Sequence, residues 1–317
     1  MTHATTTNGQ IASLHEDERK PESLLRLTVL RFRRHRMAVM GLILLGLIVA
    51  FVLVGALFYS EDYANRTNLL HRFEPPSAEH PFGTDQVGRD ILARTIYGGQ
   101  ISLMIGIVSV AISVVLGTII GLITGYFGGW IDAVLMRIVE ALLSIPTLIL
   151  LLMLSKWLAG TTATVNILGR EFSASLLVII LIIGLTSWMS LSRIVRSMVL
   201  TLKEREFVTA ATMIGAKTGR IIRVHILPNC VAPIVVSATL GVGNAIITEA
   251  YLSFLGFGVM PPTATWGNIL QRAQELLDEV WWMWMAPGVL IILTVLAINF
   301  IGDGLRDALD PRSLKSR

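Results

Sequence analysis

The chain is 317 residues long, 53% hydrophobic and only 15% charged, with a mean hydropathy of +0.68. That balance excludes an ordinary soluble domain and identifies a polytopic membrane protein. The net charge of +4 does not argue for a nucleic-acid partner, because the basic residues fall where membrane orientation alone would put them.

The apolar stretches are continuous rather than alternating, so they read as helices and not as barrel strands, and the fold class is all-α. About 20 mostly apolar residues cross the hydrocarbon. Six such runs occur, at 38–58, 101–125, 133–154, 175–191, 231–250 and 284–301. The chain thus divides into an N-terminal tail (1–37), a first span (38–58), a connecting segment (59–100), a core of spans (101–305) and a C-terminal tail (306–317).

Residues 1–20 are polar and are not expected to pack. The stretch LLRLTVLRFRRHR (24–36) carries five arginines among Leu, Val and Phe, and reads as a helix lying along the membrane surface or as plain orienting charge. The first apolar run begins too late and continues too long for a cleaved signal peptide. In the next segment, GTDQVGRD places Gly83, Thr84, Asp85, Gly88, Arg89 and Asp90 together. Thr84 or Asp85 can cap a helix start, and Asp85 with Arg89 is an i,i+4 pair. The string lacks the alternating carboxylates of a calcium loop. It reads as a structural turn, or alternatively as a contact for a partner permease or binding protein.

Further along, Gly117, Gly121 and Gly125 are spaced to let two helices approach closely. Pro146 interrupts the third run, where Glu140 can pair with Arg137 at i,i+3, and Ser187, Ser190 and Ser192 dilute the end of the fourth. Glu249 closes the fifth run, near the interface, and Trp281, Trp282 and Trp284 open the last as an aromatic anchor. The lone cysteine, Cys230, excludes an intrachain disulfide. All six histidines (His3, His15, His35, His71, His80 and His225) lie outside the runs, so neither a histidine-lined metal path nor a hydrolase with a histidine base inside the membrane is supported.

Six spans put both ends on one side. Lys and Arg number seven before residue 38, one near the second connection, seven in 192–230 and four after 301, a total of 19 against 7 in the alternate segments. The positive-inside rule makes both termini and the 203–229 segment cytoplasmic.

That segment, between the fourth and fifth runs, reads as helix, turn, helix. Phe207, Val208, Ala211 and Ile214 recur at helical spacing from Lys203 onward, and Gly215 stands where a residue of positive φ would end the helix. The small pair Ala210 and Ala211 would let another protein's surface come close, with Phe207 or Ile214 filling a pocket. A second leg runs from Arg220 to Leu227 and stops at Pro228. The alternative is an ordinary basic loop that only sets orientation. GAKTG (215–219) is not a phosphate loop, since Ala216 stands where Gly must precede Lys.

The string Ala210, Ala211, Gly215, Leu227 and Pro228 resembles the EAA loop of ATP-binding-cassette importer permeases. It differs at Thr209, where the family pattern has Glu, and at His225, where it has Ile. Glu206 and the HILPN ending are similar to the peptide and nickel branch. HPFGTDQVGRDILARTIYGGQISL, GYFGGWIDAVLMRIVEALLSIPTLIL, EAYLSFLGFGVMPPTATWGNIL and GDGLRDALDPR, in that order, resemble the C-type permease subunit of dipeptide and oligopeptide importers.

The resemblance implies a type I importer permease of six transmembrane helices in a bacterial inner membrane, with no catalytic site, metal or cofactor of its own. It implies as partners a second homologous permease, two ATPase subunits that bind ATP and Mg, an extracytoplasmic substrate-binding protein, membrane lipid and a peptide substrate, or else nickel or another small solute. It assigns ATPase coupling to Glu206, Phe207, Thr209, Ala210, Ala211, Ile214, Gly215, His225, Leu227 and Pro228. Driving a two-state population from 1:99 to 99:1 takes about 5.5 kcal/mol, whereas an exposed ion pair supplies about 0.2–1 kcal/mol. Such coupling therefore needs a packed helix rather than one charge contact. A stand-alone secondary transporter, the different class of reading, would be expected to carry inverted repeats, and none is evident.

Overall fold

The structure, a computed structural model, describes residues 24–158, 164–167, 170–276 and 278–310. The polar stretch 1–20 lies outside the described residues. The basic stretch forms its own helix, α1 (Leu24–Arg34), and α2 (Arg36–Phe58) follows after a single residue. That residue, His35, accepts from the Ala38 N–H at 3.1 Å and caps α2. A short α3 (Glu61–Asn65) and a loop lead into α4 (Ile91–Phe127). Helices α5 (Gly129–Leu143) and α6 (Thr147–Leu158) come next, then a two-stranded antiparallel ribbon of β1 (Thr164–Ile167) and β2 (Arg170–Ser173), in which Thr164 pairs with Ser173. The rest is helical: α7 (Ala174–Leu202), α8 (Glu206–Met213), α9 (Thr218–Arg220), α10 (Leu227–Phe254), α11 (Trp266–Ala273) and α12 (Trp281–Leu309).

Among the described residues, five helices are long and apolar enough to cross a membrane: α2, α4, α7, the continuous stretch Thr218–Phe254, and α12. The third apolar run makes a sixth if α5 and α6, which meet at 88°, count together as one broken span. Pro146 sits at the break. It has no N–H to continue the helix and it pushes Ile145 out of helical geometry.

Two helices extend beyond their apolar runs. At about 1.5 Å per residue, a 37-residue helix is about 55 Å long, against a hydrocarbon core of about 30 Å. So α4 starts at Ile91, well before its apolar run. The expected second leg of the 203–229 segment is likewise no separate helix. Thr218 to Phe254 is continuous, with a π-helical stretch (Ile221–Ile226) ahead of Pro228. There the Leu227 N–H reaches back to Ile222 O. Widening the helix by one residue leaves room for a proline that would otherwise clash with the preceding turn.

The most extensive helix contact is between α4 and α7. Gly117, Gly121 and Gly125 all line it, and a Cβ on them would lie 2.9 Å from Trp188 O, 2.7 Å from Ser192 O and 2.9 Å from Arg196 O. Helix α10 packs on α4 and α12, and α12 covers α2.

Glu249, at the end of the fifth run, is fully buried within the protein. Ser253 Oγ donates to one of its oxygens at 2.6 Å and Ser102 Oγ to the other at 3.2 Å. Hydroxyl donors from α4 and α10 thus satisfy a carboxylate that burial would otherwise penalise heavily. Next to it, α11 begins in a capping box of Thr265 and Asn268. It buries Trp266, whose indole donates to Thr95 O at 2.9 Å. Of the expected aromatic anchor, Trp281 and Trp284 are exposed, while Trp282 packs beside Phe73, Phe82 and Met283.

Candidate coupling surface and membrane cavity

Helix α8 ends in a Schellman motif. The Ala216 N–H reaches Ala211 O and the Gly215 N–H reaches Thr212 O, both at 3.0 Å, with Gly215 at φ +77°. A Cβ is disfavoured at that φ, which is why the sequence has glycine there. The turn aims one face of α8 inward: Val208 and Ala211 are buried in a cluster with Val195 and Val199 of α7 and with Ile221, Ile226 and Cys230 leading into α10. Leu122 and Tyr126 of α4 pack against the same cluster.

The small pair is therefore split. Ala211 is inside, which corrects the reading of both alanines as one contact surface, and Ala210 is outside. Around Ala210 stand Phe207, Met213 and Ile214, with 44%, 82% and 85% of their surface exposed. Glu206 and Thr209 are exposed on the same short helix, and Thr209 Oγ1 donates to Arg205 O at 3.4 Å. His225 is half-buried with its ring 6.4 Å from that of Phe207, Leu227 is half-buried and Pro228 is exposed. Met213 escaped the sequence reading although it lies three residues after Ala210 on the same face.

Two of the helices that hold α8, α7 and α10, also wall with α5 a cavity of about 860 Å³, lined by residues that include Val139, Glu140, Arg193, Arg196 and Pro233. Arg196 makes a bidentate pair with Asp132 across α5 and α7, at 2.5 and 2.6 Å. These residues are 64 positions apart, so no local pattern could have paired them. Glu140 meets Arg137 at 3.4 Å, as the spacing predicts, but the contact is exposed. Deleting Asp132 leaves a partly buried guanidinium without its carboxylate, and hydrogen bonds to charged groups are worth about 1.5–3 kcal/mol. Asp132→Ala is expected to lower the melting temperature of the solubilised protein. Adding Arg196→Ala should then cost much less than that change does alone. Strictly additive losses would mean that the pair does not hold α5 to α7.

At another part of the fold, GTDQVGRD is a buried node. Asp85 and Arg89 pair as expected, with Nε to Oδ2 at 2.7 Å, but in a loop rather than on a helix. Asp85 Oδ1 also accepts from the Val87 and Arg89 N–H groups. Neither Thr84 nor Asp85 caps α4. Asp90 does, accepting from the Ala93 N–H at 2.8 Å. Thr84 bridges to the preceding loop, donating to His71 O and accepting from the Glu74 N–H. Gly83 and Gly88 both have positive φ. Arg272, close by, is held below the usual guanidinium range mainly by burial and further by Arg89, with Asp85 acting in the opposite sense.

Comparison with known proteins places the chain among transport permeases. Residues 117–315 match the family model described as binding-protein-dependent transport system inner membrane component. Residues 23–76 match that of the N-terminal transmembrane domain of oligopeptide transport permease C. The chain is 44% identical, over 89% of both chains, to a Brucella suis protein named as a peptide permease. It is 39% identical to the oligopeptide transport system permease protein OppC of Bacillus subtilis, over 94% of this chain and 92% of that one. To the dipeptide transport system permease protein DppC of Alkalihalophilus pseudofirmus it is 40% identical, over 94% and 93%.

Proposed function

Because this chain belongs to the family of binding-protein-dependent transport system inner membrane components, we propose that it is the permease subunit of an ATP-driven importer of di- or oligopeptides. It forms half of the translocation path beside a second, homologous permease. Two cytoplasmic ATPases bind ATP and Mg, an extracytoplasmic binding protein delivers the peptide, and this chain itself catalyses nothing. The excess of Lys and Arg in alternate segments supports a cytoplasmic position for both termini and α8 in a bacterial inner membrane.

One observation carries the reading: α8 exposes Phe207, Met213 and Ile214 around the small Ala210, while its other face is locked into α4, α7 and α10. An ATPase that grips the outer face moves those spans with it, because packed cores shift as units rather than deform. The cavity between α5, α7 and α10 is this chain's share of the path. Glu140 and Arg193 give it both signs of charge, as suits a zwitterionic peptide.

Proteoliposomes holding the two permeases and two ATPases, supplied with binding protein and labelled peptide, should accumulate peptide only with ATP and only when this chain is present. ATP-driven uptake that persists without the chain, or uptake driven by an ion gradient with this chain alone, would overturn the assignment.

A further inference from the structure

In the loop between α3 and α4, His71, Glu74 and His80 each offer one ligating atom, and these atoms all lie within 4.8 Å of one another. His71 ends a short 3-10 turn (Leu69–His71), and its Nδ1 lies 2.7 Å from Glu74 Oε1. His80 closes a tight turn with Ser77. Its Nδ1 lies 2.8 Å from Oδ2 of the buried Asp90, the same carboxylate that caps α4. The two imidazole rings are 6.1 Å apart, and both residues line a cavity of about 190 Å³ with Tyr63, Asn68 and Gly88.

The geometry points to a binding site for one divalent transition-metal ion of the zinc type, held by His71, Glu74 and His80 and oriented by Asp90. The arrangement has the parts such a site needs. A carboxylate on Nδ1 of His80 sets the ring's orientation and leaves Nε2 for the metal, the usual outer-shell arrangement of metal-bound histidine. Two imidazoles and one carboxylate suit zinc, cobalt or nickel and not the all-oxygen preference of calcium or magnesium. Tetrahedral ligands at about 2.0–2.1 Å from zinc lie about 3.3 Å apart, so the site has to contract. His71 and Glu74 can move to achieve this, since their side chains are 40% and 39% exposed, while His80 at 11% is the fixed anchor. The adjoining cavity leaves room for water as a fourth ligand. Bound metal would staple the loop that carries His71 and Glu74 to the start of α4. This site lies outside the spans, so it is independent of any metal path through the membrane and of the nature of the transported solute.

The test uses the assembled importer in detergent, stripped with chelator and titrated with cobalt(II), then with zinc(II) as competitor. The expected result is one equivalent of cobalt per chain, with the intense visible bands of four-coordination, displaced by zinc and accompanied by a higher melting temperature. His71→Gln and His80→Gln should abolish the bands, and Asp90→Asn should weaken binding by about 10–100-fold. His35→Asn, which keeps a capping side chain elsewhere, should bind like the unaltered protein. If His80→Gln fails to fold, the exposed His71→Gln decides the matter. No cobalt bands in the unaltered protein, or unchanged bands and affinity in His71→Gln, would overturn the site.

Discussion

Ala210→Trp is expected to cut ATP-driven peptide uptake by the reconstituted importer at least about tenfold, while the chain still inserts, folds and assembles with its permease partner. Tenfold corresponds to about 1.4 kcal/mol, well within what a misfitted side chain costs at the centre of a small, tightly packed contact. The substitution is informative because Ala210 is exposed, on the opposite side of α8 from the buried Val208 and Ala211. An indole there would hold a docking surface away from Phe207, Met213 and Ile214. The neighbouring Ala211→Leu should fail differently. Ala211 is 6% exposed against Val208, Ile221 and Ile226, so added methylenes overpack a core at a cost of about 1–3 kcal/mol and lower the yield of folded protein first. Uptake and substrate-stimulated ATP hydrolysis both unchanged in a fully assembled Ala210→Trp importer would remove α8 from the coupling path.

A second large effect is expected from Gly121→Leu, which should prevent stable folding rather than impair transport alone. Even a single Cβ at residue 121 would meet Val195 Cβ at 2.6 Å and Ser192 O at 2.7 Å. These are α7 backbone and branched side-chain atoms that cannot swing aside. Gly121→Ala should therefore cost about 1–3 kcal/mol, and the larger leucine should push α7 off α4 and disturb Val195 in the cluster beneath α8. Gly46→Leu is the matched control. A Cβ on Gly46 meets nothing within 4 Å, so the same change on α2 should leave expression and thermal stability close to those of the unaltered protein. Comparable loss from both would mean that leucine harms any membrane glycine here and that α4–α7 approach is not the cause. A well-folded Gly121→Leu would mean that the two helices need not touch.

Some residues carried their structural role in plain view. Gly215 follows an amphipathic helix and turns out to hold a positive φ, because only the local chain decides that geometry. Pro146 in the third apolar run marks the bend between α5 and α6 for the same reason. Pro228 was open to misreading: the proline rule stops a helix, but a π-helical turn placed just before it keeps the chain continuous, and whether that turn forms depends on what Ile221 and Ile226 can bury.

The helical class, the positions of the apolar runs, the charge asymmetry between alternate segments and the glycine spacing of α4 could all be read from the order of residues. All are set by composition and period, which act over a few residues at a time. It took the folded chain to turn Ala211 inward and Ala210 outward, to bring Asp132 to Arg196, to enclose Glu249 in hydroxyls and to bring His71 near His80. Each of these depends on which distant backbone comes within a few ångströms. That is a matter of packed volumes and pairing of buried polar groups across the whole chain, and no local pattern encodes it.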